Sequence, residues 1–288
     1  MERTNEHKVF FFSPIELKNW TIHFIKEAGI KPKKKLSQNF TIDPNYIETF
    51  IKELSLIDNL EWMVEIGTGI GTLTKAVSYA FSSSNIITIE KDASLFSIIS
   101  SIIEERNVYL ILADALGIVP SIKTSVVFSS TPFSITSPII IKACRNNNIK
   151  NMILGMQKEV AERLVAATGS KSYGRLSILA QLLFEIRIVR SFTPKSFFPE
   201  PKVSVSIVSL KRKKNYDTKV HFLLEKLTSC VFSQRNKNSR KVFKRCLETL
   251  KLNCIDYIEK LLENKRVREL SPWEMEEISR RCAEVTER

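Results

Sequence analysis

The stretch Glu65-Ile66-Gly67-Thr68-Gly69-Ile70-Gly71 decides the fold that this sequence predicts. It holds three of the eight glycines in a chain of 288 residues, and a chain so sparing of glycine places them where the backbone needs a positive φ or close approach to a ligand. The stretch follows an apolar strand and opens a helix, which is the context of a nucleotide-binding loop. Its G-x-G-x-G spacing suits a ligand without a pyrophosphate, such as S-adenosylmethionine. The carboxylate of Glu65 would also repel phosphates.

Strands and helices alternate around this loop. The hydrophobic pattern predicts strands at 63–66, 85–90 and 108–113 and helices at 72–79 and 93–105. This rhythm predicts a parallel sheet with helices on both faces. Upstream, Ser13-Pro14-Ile15-Glu16 has the form of a capping box. Apolar residues at helical spacing follow it up to Gly29 and recur from 44 to 57.

The basic run Lys211-Arg212-Lys213-Lys214 interrupts the alternation, and beyond it only helical spacing occurs. The predicted fold class is therefore α/β, with a Rossmann-like domain followed by a small all-helical domain. The predicted boundaries are an N-terminal extension with a helix at 1–30, the Rossmann-like domain at 31–210 and the helical C-terminal domain at 215–288.

The net charge of the chain is +13 at pH 7, and its pI is about 9.5. This excess of Lys and Arg predicts a polyanionic partner, with nucleic acid favoured over an anionic membrane. The alternative is the lysine-rich surface of a heat-adapted protein.

The cysteines argue against a cross-linked or metal-binding protein. The chain has three histidines, and its five scattered cysteines form no C-x-x-C pair: Cys144, Cys230, Cys246, Cys254 and Cys282. The sequence therefore predicts no metal site, no disulfide framework and a reducing interior.

The run Val9-Phe10-Phe11-Phe12 is too short for a signal sequence, and Glu2 and Glu6 argue against a transit peptide. No run approaches the roughly 20 apolar residues of a membrane span, so we expect a cytoplasmic protein without membrane contact.

Two acidic residues follow strands at positions where they can bind a nucleoside. Glu90 ends the second strand about 20 residues after the glycine loop, where an acid accepts the ribose hydroxyls. Asp114 ends the third strand and can accept the hydrogens of an adenine amino group. The alternative is a tight strand–helix turn with two unrelated surface acids.

The stretch Ser129-Ser130-Thr131-Pro132-Phe133-Ser134 follows the apolar run Val126-Val127-Phe128. A Pro followed by an aromatic residue at the end of a buried strand is where several methyltransferases hold a planar amine. Such sites usually carry Asn or Asp two residues before the Pro, where this chain has Ser130.

With these residues, the chain resembles the small-subunit ribosomal RNA adenine N6,N6-dimethyltransferases. The resemblance extends in family order over about 31 to 245. It rests on Ser37-Gln38-Asn39-Phe40, the glycine loop, Gln157 to Leu164, Gly169 to Ser177, Phe198 to Val203, and Phe232 to Lys237.

The resemblance implies an S-adenosylmethionine-dependent methyltransferase domain ahead of the helical domain. The cofactor contacts it implies fall on Asn39, Thr41, Gly67, Glu90, Asp114 and Ser130. Thr41 stands where the family usually has Leu, but that contact is mostly backbone. The implied target is a pair of adjacent adenines near the 3′ end of small-subunit rRNA, in an immature small ribosomal subunit, and the protein is expected to be a monomer.

The catalytic residues implied by the resemblance are Ser130, Pro132, Phe133 and Phe198. An acceptor oxygen and a main-chain carbonyl would hold the adenine N6 hydrogens, and the two Phe rings would stack on the base. Ser130 keeps an acceptor oxygen on an arm about one bond shorter than that of Asn. A misplacement near 1 Å costs roughly 10²-fold in rate, so we expect a slowed enzyme.

The resemblance also implies RNA contacts for a set of basic residues: Lys33, Lys34, Lys35, Lys171, Arg175, Arg235, Lys237, Arg240 and Lys241. Neutralising phosphates would give salt-sensitive affinity. The alternative is a solvated basic helix face.

Three other functions stay open. The first is an RNA-binding assembly factor that keeps the cofactor but lost catalysis, or stops at one methyl group, because of Ser130. The second is a methyltransferase of large-subunit rRNA, as in antibiotic-resistance relatives, and the third is a DNA-binding transcription factor. The stretch Phe232 to Lys237 favours the small-subunit branch.

Overall fold

The computed structural model describes residues 13–262 and 264–285, with all their side chains except those of Pro14 and Lys34. The run from Val9 to Phe12 and the acids Glu2 and Glu6 lie outside the described residues. The chain divides into two compact units. Among the described residues, unit 1 comprises 13–161 and 187–211, and unit 2 comprises 162–186 and the residues from 212 onward. Residues 162–186, which the sequence pattern assigned to the Rossmann-like domain, therefore cluster with the C-terminal helices.

A mixed β-sheet forms the centre of unit 1. The chain first forms the two-residue strand β1 (Phe40–Thr41) and then, in order, β2 (Trp62–Ile66), β3 (Asn85–Glu90), β4 (Val108–Leu112), β5 (Val126–Ser130), β6 (Asn151–Gln157), β7 (Phe184–Phe192), β8 (Phe197–Phe198) and β9 (Val205–Arg212). The sheet order is β4-β3-β2-β5-β6-β9-β7. The five strands β4, β3, β2, β5 and β6 are parallel to one another, which confirms the predicted parallel sheet. Strand β9 runs antiparallel to β6. Strands β1 and β8 form a separate antiparallel ribbon.

Seven of the described α-helices begin in unit 1. They are α1 (Pro14–Glu27), α2 (Pro44–Leu54), α3 (Thr72–Ala80), α4 (Ala93–Ser100), α5 (Ala115–Ile118), α6 (Thr136–Arg145) and α7 (Lys158–Leu164), which ends in unit 2. The further helices of unit 2 are α8 (Arg175–Leu183), α9 (Thr218–Val231), α10 (Ser239–Leu250), α11 (Ile255–Leu262) and α12 (Pro272–Val285). From Thr218 onward the described chain is helical with short connections, as predicted.

Local sequence signals explain where helices begin and end. The capping box at Ser13 is confirmed, since the Ser13 hydroxyl accepts from the Glu16 N–H while the Glu16 carboxylate accepts from the Ser13 N–H. The helix predicted at 93–105 ends earlier, at Ser100. The hydroxyls of Ser100 and Ser101 donate to backbone carbonyls three residues back, and such bonds compete with helix propagation.

The central strands bring the predicted site residues to one edge of the sheet. Strands β2 and β5 are parallel neighbours with Glu65 opposite Phe128, so their carboxyl ends lie side by side. The Ser129 hydroxyl is fully buried and donates to the Ile66 carbonyl, 2.5 Å away. This bond fixes the segment after β5 against the start of the glycine loop.

The prediction that the chain has no disulfide framework is wrong. Unit 2 contains the disulfides Cys230–Cys246 and Cys254–Cys282, with Cα atoms 5.9 and 5.1 Å apart. Cys144, in unit 1, is buried and is not part of a disulfide. Separations of 16 and 28 residues carry no pairing signal in the sequence, because only the packing of the helices brings the partners together.

Among the helices described, none is both long and apolar enough to cross a membrane. Within the same residues, no group of three or more His, Cys, Asp or Glu side chains could hold a metal ion.

We expect thiol titration of the denatured chain to detect one thiol without reductant and five after reduction, because four of the five cysteines are paired. Closing a loop of this size stabilises a native state by about 3 kcal/mol in the chain-entropy account. Reduction should therefore lower the free energy of unfolding. The variant Cys144→Ser is the control and should titrate zero thiols before reduction; five thiols in the untreated wild type would contradict the pairing.

Candidate active site

The glycine loop between β2 and α3 has the backbone that its sequence predicts. Gly67, Gly69 and Gly71 have φ values of +82°, +60° and +79°, which residues with a Cβ rarely adopt. A Cβ on Gly69 would lie 3.3 Å from the Phe40 ring, and one on Gly67 would lie 3.4 Å from Pro132. The loop is therefore packed against both the Ser37–Phe40 motif and the segment after β5.

A cavity of about 210 Å³ opens at the carboxyl ends of β2, β3 and β5, which is the edge where doubly wound sheets bind ligands. Seven predicted site residues line it together: Asn39, Thr41, Gly67, Glu90, Asp114, Ser130 and Pro132. Lys35, predicted as an RNA contact, also lines it. Phe133 and Phe198 are not among its lining residues.

Glu90 joins the glycine loop to the end of β3. Its Oε2 accepts from the Gly69 N–H at 3.0 Å and its Oε1 from the Asp92 N–H at 2.7 Å. Burial raises the pKa of this carboxyl, against the lowering effect of these N–H donors. Each oxygen retains a lone pair that can accept from a ligand hydroxyl.

Asp114 caps α5 at the rim of the cavity. Its Oδ1 accepts from the Leu116 N–H at 2.9 Å, and its Oδ2 accepts from Lys91 Nζ at 2.7 Å. The hydrogen bond from Lys91 and that from Leu116 hold the pKa of Asp114 below its ordinary value. The side chain is therefore an ionised acceptor with an orientation fixed on both sides.

Asp92 is a residue of this site that sequence reasoning missed. Its carboxylate accepts from Lys33 Nζ at 2.7 Å and from Gln38 Nε2 at 2.9 Å. Desolvation acts to raise its pKa, but these two donors outweigh that effect and lower it. Asp92 therefore ties the basic linker at residues 31–35 and the Ser37–Phe40 motif to the end of β3. Lys33, predicted as an RNA contact, is held in this ion pair.

Two further predicted cofactor residues, Asn39 and Thr41, lie in and directly after the Ser37–Phe40 motif. The Asn39 amide donates to the Ser37 carbonyl at 3.1 Å. Thr41 is 5% exposed and pairs with Phe197 in the β1–β8 ribbon. The Thr41 hydroxyl is engaged with the Ser196 carbonyl and the Asp43 backbone, so mainly main-chain groups of Thr41 are left for a ligand. The expected backbone contact to the cofactor stays a prediction.

Glu65 behaves differently from the expectation that it adds a negative charge. Burial raises its pKa to about 8, against hydrogen bonds that Thr74 and Thr88 donate to its Oε2 at 2.6 Å each. At neutral pH the carboxyl is therefore mostly protonated. Its Oε1 is buried and has no hydrogen-bond partner among the described residues.

Ser130 lies at the end of β5 with its hydroxyl 3.0 Å from the hydroxyl of Tyr46. Tyr46 belongs to α2, is fully buried and was not predicted as a site residue. Its ring packs among aromatic side chains, so its amphipathic helix position gave only a core signal. At the position where Asn was expected, the Ser130 hydroxyl is therefore hydrogen-bonded to a second hydroxyl, that of Tyr46.

Two main-chain carbonyls after Ser130, those of Thr131 and Pro132, are candidates to accept hydrogens from a bound amine. The Pro132 carbonyl already accepts from the Ile135 N–H at 3.1 Å and from the Thr136 hydroxyl at 3.3 Å. Two donors occupy both lone pairs of a carbonyl oxygen. The Thr131 carbonyl is therefore the better main-chain candidate to accept hydrogens of a bound amine.

The two predicted stacking residues lie beside the cavity on different supports. Phe133 begins a short 3₁₀ helix and packs against the core cluster that includes Tyr46. Phe198 is paired with Phe40 across the β1–β8 ribbon and packs against a second cluster. Both rings are half-buried, so each has a face or edge accessible from solvent.

The predicted RNA contacts of unit 2 gather where three segments meet. The Gly169 N–H donates to the Arg268 carbonyl, the Arg268 N–H to the Arg235 carbonyl, and the Val267 N–H to the Lys237 carbonyl. We call the cationic residues of these segments the basic cluster: Lys171, Arg175, Arg235, Lys237, Arg240, Lys241, Lys265, Arg266 and Arg268. The last three were missed, because they follow α11 and are distant in sequence from the rest.

Some members of the basic cluster also have structural roles. Arg235 donates to the Ser170 carbonyl at 2.8 Å, and Arg240 is paired with Glu259. The side chains of Lys171, Arg175, Lys237 and Lys241 are exposed. In unit 1 Lys35 is exposed as well, whereas the side chain of Lys34 lies outside the described part of the chain.

Comparison with known proteins identifies relatives over most of the chain. The model of the family described as "Ribosomal RNA adenine dimethylase" matches residues 29–284. The chain is 37% identical over 220 residues to the ribosomal RNA small subunit methyltransferase A of Wolbachia pipientis subsp. Culex pipiens, covering 73% of this chain and 82% of the relative. It is 32% identical over 232 residues to the protein of that name from Halothermothrix orenii, covering 75% of each.

Solved structures agree with these relatives. A dimethyladenosine transferase from Plasmodium falciparum superposes with a TM-score of 0.70 at 25% identity, covering 83% of this chain and 95% of that one. The 23S rRNA methyltransferase ErmE superposes with a TM-score of 0.62 at 22% identity, covering 85% and 99%. At that identity the second structure supports the fold alone.

We expect Glu65 to make stability depend on pH in a defined window. Between its ordinary pKa of 4.5 and about 8, the folded chain keeps a proton that the unfolded chain releases. The free energy of unfolding should therefore fall with rising pH across this window, by about 1.4 kcal/mol per unit from this group. Urea unfolding from pH 5 to 8.5, without ligand, should show that Glu65→Gln removes this component.

Glu61→Gln is the matched control, since Glu61 is an exposed carboxyl beside the same strand, and it should keep the wild-type profile. Parallel profiles for wild type and Glu65→Gln would show that Glu65 is ionised in the folded chain.

Proposed function

Because this chain belongs to the ribosomal RNA adenine dimethylase family, we propose that it transfers methyl groups from S-adenosylmethionine to the N6 atom of adenines near the 3′ end of small-subunit rRNA. The observation that carries the proposal is that seven residues predicted from the sequence line one cavity.

The residues around the cavity fit S-adenosylmethionine. The positive-φ glycines leave no side chain over the loop, so a ligand can approach the backbone. Glu90 has lone pairs for the ribose hydroxyls, and ionised Asp114 has an acceptor for the adenine amino group.

Ser130 and the Thr131 carbonyl would orient the target amine. When bound, S-adenosylmethionine supplies a methyl group already activated by its sulfonium. The adenine N6 is a poor nucleophile because its lone pair is delocalised into the ring. By accepting the N6 hydrogens, the Ser130 oxygen and the Thr131 carbonyl would turn that lone pair toward the cavity and hold the nitrogen in place.

Phe133 and Phe198 would hold the base itself. An enzyme that acts on N6 must take the adenine out of its stack, and base–aromatic stacking contributes about 1–3 kcal/mol per base. Two observations support these residues. Both rings are half-buried, and Phe133 directly follows the Ser130–Pro132 segment while Phe198 belongs to the β1–β8 ribbon. Pro132 would keep the turn between Ser130 and Phe133 rigid.

The basic cluster would supply most of the affinity for RNA. Its exposed lysines and arginines can neutralise phosphates, which gives salt-dependent binding with little sequence preference. Target choice would then depend on the shape of the rRNA and on an unpaired adenine. We also propose that the protein is a cytoplasmic monomer that binds immature small subunits, where its substrate is formed.

One alternative keeps a specific observation behind it. Ser130 places a hydroxyl where the related enzymes are expected to carry an amide, so the protein could bind the cofactor and rRNA as an assembly factor, or stop after one methyl group. The likeness to ErmE supports the fold alone and does not favour methylation of large-subunit rRNA.

We expect the purified protein to form N6,N6-dimethyladenosine when labelled S-adenosylmethionine and immature small subunits are supplied, as measured by nucleoside mass spectrometry. Ser130→Ala should lower kcat by about 10²-fold, the cost of losing one oriented polar group. Ser130→Asn should change the rate and not the product.

The outcomes separate the candidates. No product together with cofactor binding would favour the assembly factor, and accumulation of monomethyladenosine would favour the monomethylating enzyme. Dimethylation of large-subunit rRNA alone would contradict the proposed target.

We expect Lys171→Gln/Lys237→Gln to weaken RNA binding and to flatten its dependence on salt. Each lost phosphate contact should reduce the slope of log K against log salt by roughly 0.7–0.9. The measurement is binding of small-subunit rRNA by fluorescence anisotropy from 50 to 300 mM salt. Lys123→Gln/Lys150→Gln removes the same charge from exposed positions of unit 1 and should leave the slope unchanged; equal slopes for both double variants would contradict the assignment.

A further inference from the structure

Tyr46 carries a hydroxyl where the core needs only a ring. The side chain is fully buried, and its ring makes edge contacts with Phe50, Phe192 and Phe197 at centroid distances of 5.0–5.2 Å. A Phe would make the same contacts without desolvating a hydroxyl, which costs free energy unless it is hydrogen-bonded. The Tyr46 hydroxyl meets that requirement through Ser130 Oγ, 3.0 Å away.

Gly155 supplies the space for this hydroxyl. It lies opposite Ser130 in the pairing of β5 with β6. A Cβ on Gly155 would stand 1.9 Å from the Tyr46 hydroxyl oxygen and 3.0 Å from the ring carbon that bears it. Its φ lies outside the left-handed region, so the backbone does not require glycine there. A glycine in a central strand is unfavourable, and here it serves to admit the phenol oxygen.

The hydrogen bond leaves Ser130 able to accept from the cavity. A hydroxyl has one hydrogen and two lone pairs. If Tyr46 donates, Ser130 Oγ retains one lone pair and its own hydrogen; if Ser130 donates, it retains two lone pairs. Burial raises the pKa of Tyr46, against the effect of the Ser130 bond, so the phenol stays protonated.

We propose that Tyr46 is a positioning residue for methyl transfer, and that Tyr46, Ser130 and Gly155 act as one unit that directs a Ser130 lone pair toward the adenine N6. The proposal rests on the proposed function. A serine side chain has three rotamers, and its acceptor oxygen is on a shorter arm than that of Asn. The hydrogen bond with the Tyr46 hydroxyl favours one rotamer of Ser130. It thereby makes the short side chain a usable acceptor.

The test is a double-mutant cycle on kcat. Tyr46→Phe should lower kcat about tenfold, with the cofactor Kd and the KM for immature subunits changed less than twofold. In the Ser130→Ala background the same change should have no further effect on kcat, because Tyr46 acts through Ser130. Tyr216→Phe is the matched control: Tyr216 is a buried tyrosine of unit 2 whose hydroxyl donates to Glu225 at 2.8 Å, and its loss should leave kcat unchanged.

A second cycle measures the space around the phenol without any assay of activity. Gly155→Ala should lower Tm in the wild-type background and lower it less in the Tyr46→Phe background, because the closest clash is with the hydroxyl oxygen. Equal losses of Tm in both backgrounds would overturn the role assigned to Gly155.

The outcomes are distinguishable from a failure of the proposed function. A wild-type protein without methyl transfer would overturn the proposed function and this inference with it. An active wild type with an equally active Tyr46→Phe variant, or with independent effects of Tyr46→Phe and Ser130→Ala, would overturn the positioning role alone.

Discussion

The structure of the candidate site depends on one carboxylate. Glu90 accepts the Gly69 N–H with one oxygen and the Asp92 N–H with the other, so the glycine loop and the end of β3 share one anchor. Asp92 in turn holds Lys33 and Gln38, which brings a segment from 50 or more residues earlier against the same strand end. A buried acceptor with both oxygens bonded to backbone donors is a stiff connection. Displacing Glu90 would therefore loosen the loop, the linker and the Ser37–Phe40 motif together.

Sequence reasoning succeeded where the signal is local. Positive φ at Gly67, Gly69 and Gly71 follows from spacing after an apolar strand, and Glu90 and Asp114 follow from strand ends. It failed where the partner is distant or the residue type is ambiguous. Tyr46 occupies a core position of α2, and nothing local shows that its hydroxyl reaches β5. The protonated Glu65, the filled carbonyl of Pro132 and the paired cysteines likewise depend on neighbours that only the folded chain provides.

The site shows how a short side chain can be accommodated in a frame suited to a longer one. The Tyr46 hydroxyl lies within hydrogen-bond distance of Ser130, and Gly155 leaves room for that hydroxyl, so three residues on three elements form one arrangement. The main chain at Thr131 contributes independently of any side chain. An interpretation based on Ser130 alone would underestimate how much of the acceptor geometry the rest of unit 1 maintains.

Unit 2 is built from two separate segments of the chain, which has a consequence for its synthesis. Residues 162–186 join helices that the chain adds only after residue 212. The Tyr173 hydroxyl donates to the Leu270 carbonyl, and the Gly169 N–H to the Arg268 carbonyl, across nearly a hundred residues. On a translating ribosome, α8 emerges before the helices that cover it. Its apolar residues, among them Leu176 and Ile178, therefore lack their final neighbours until almost the whole chain has been synthesised. The packing of α8 can therefore be completed only late in synthesis or after it, and until then its apolar residues lack the neighbours that bury them.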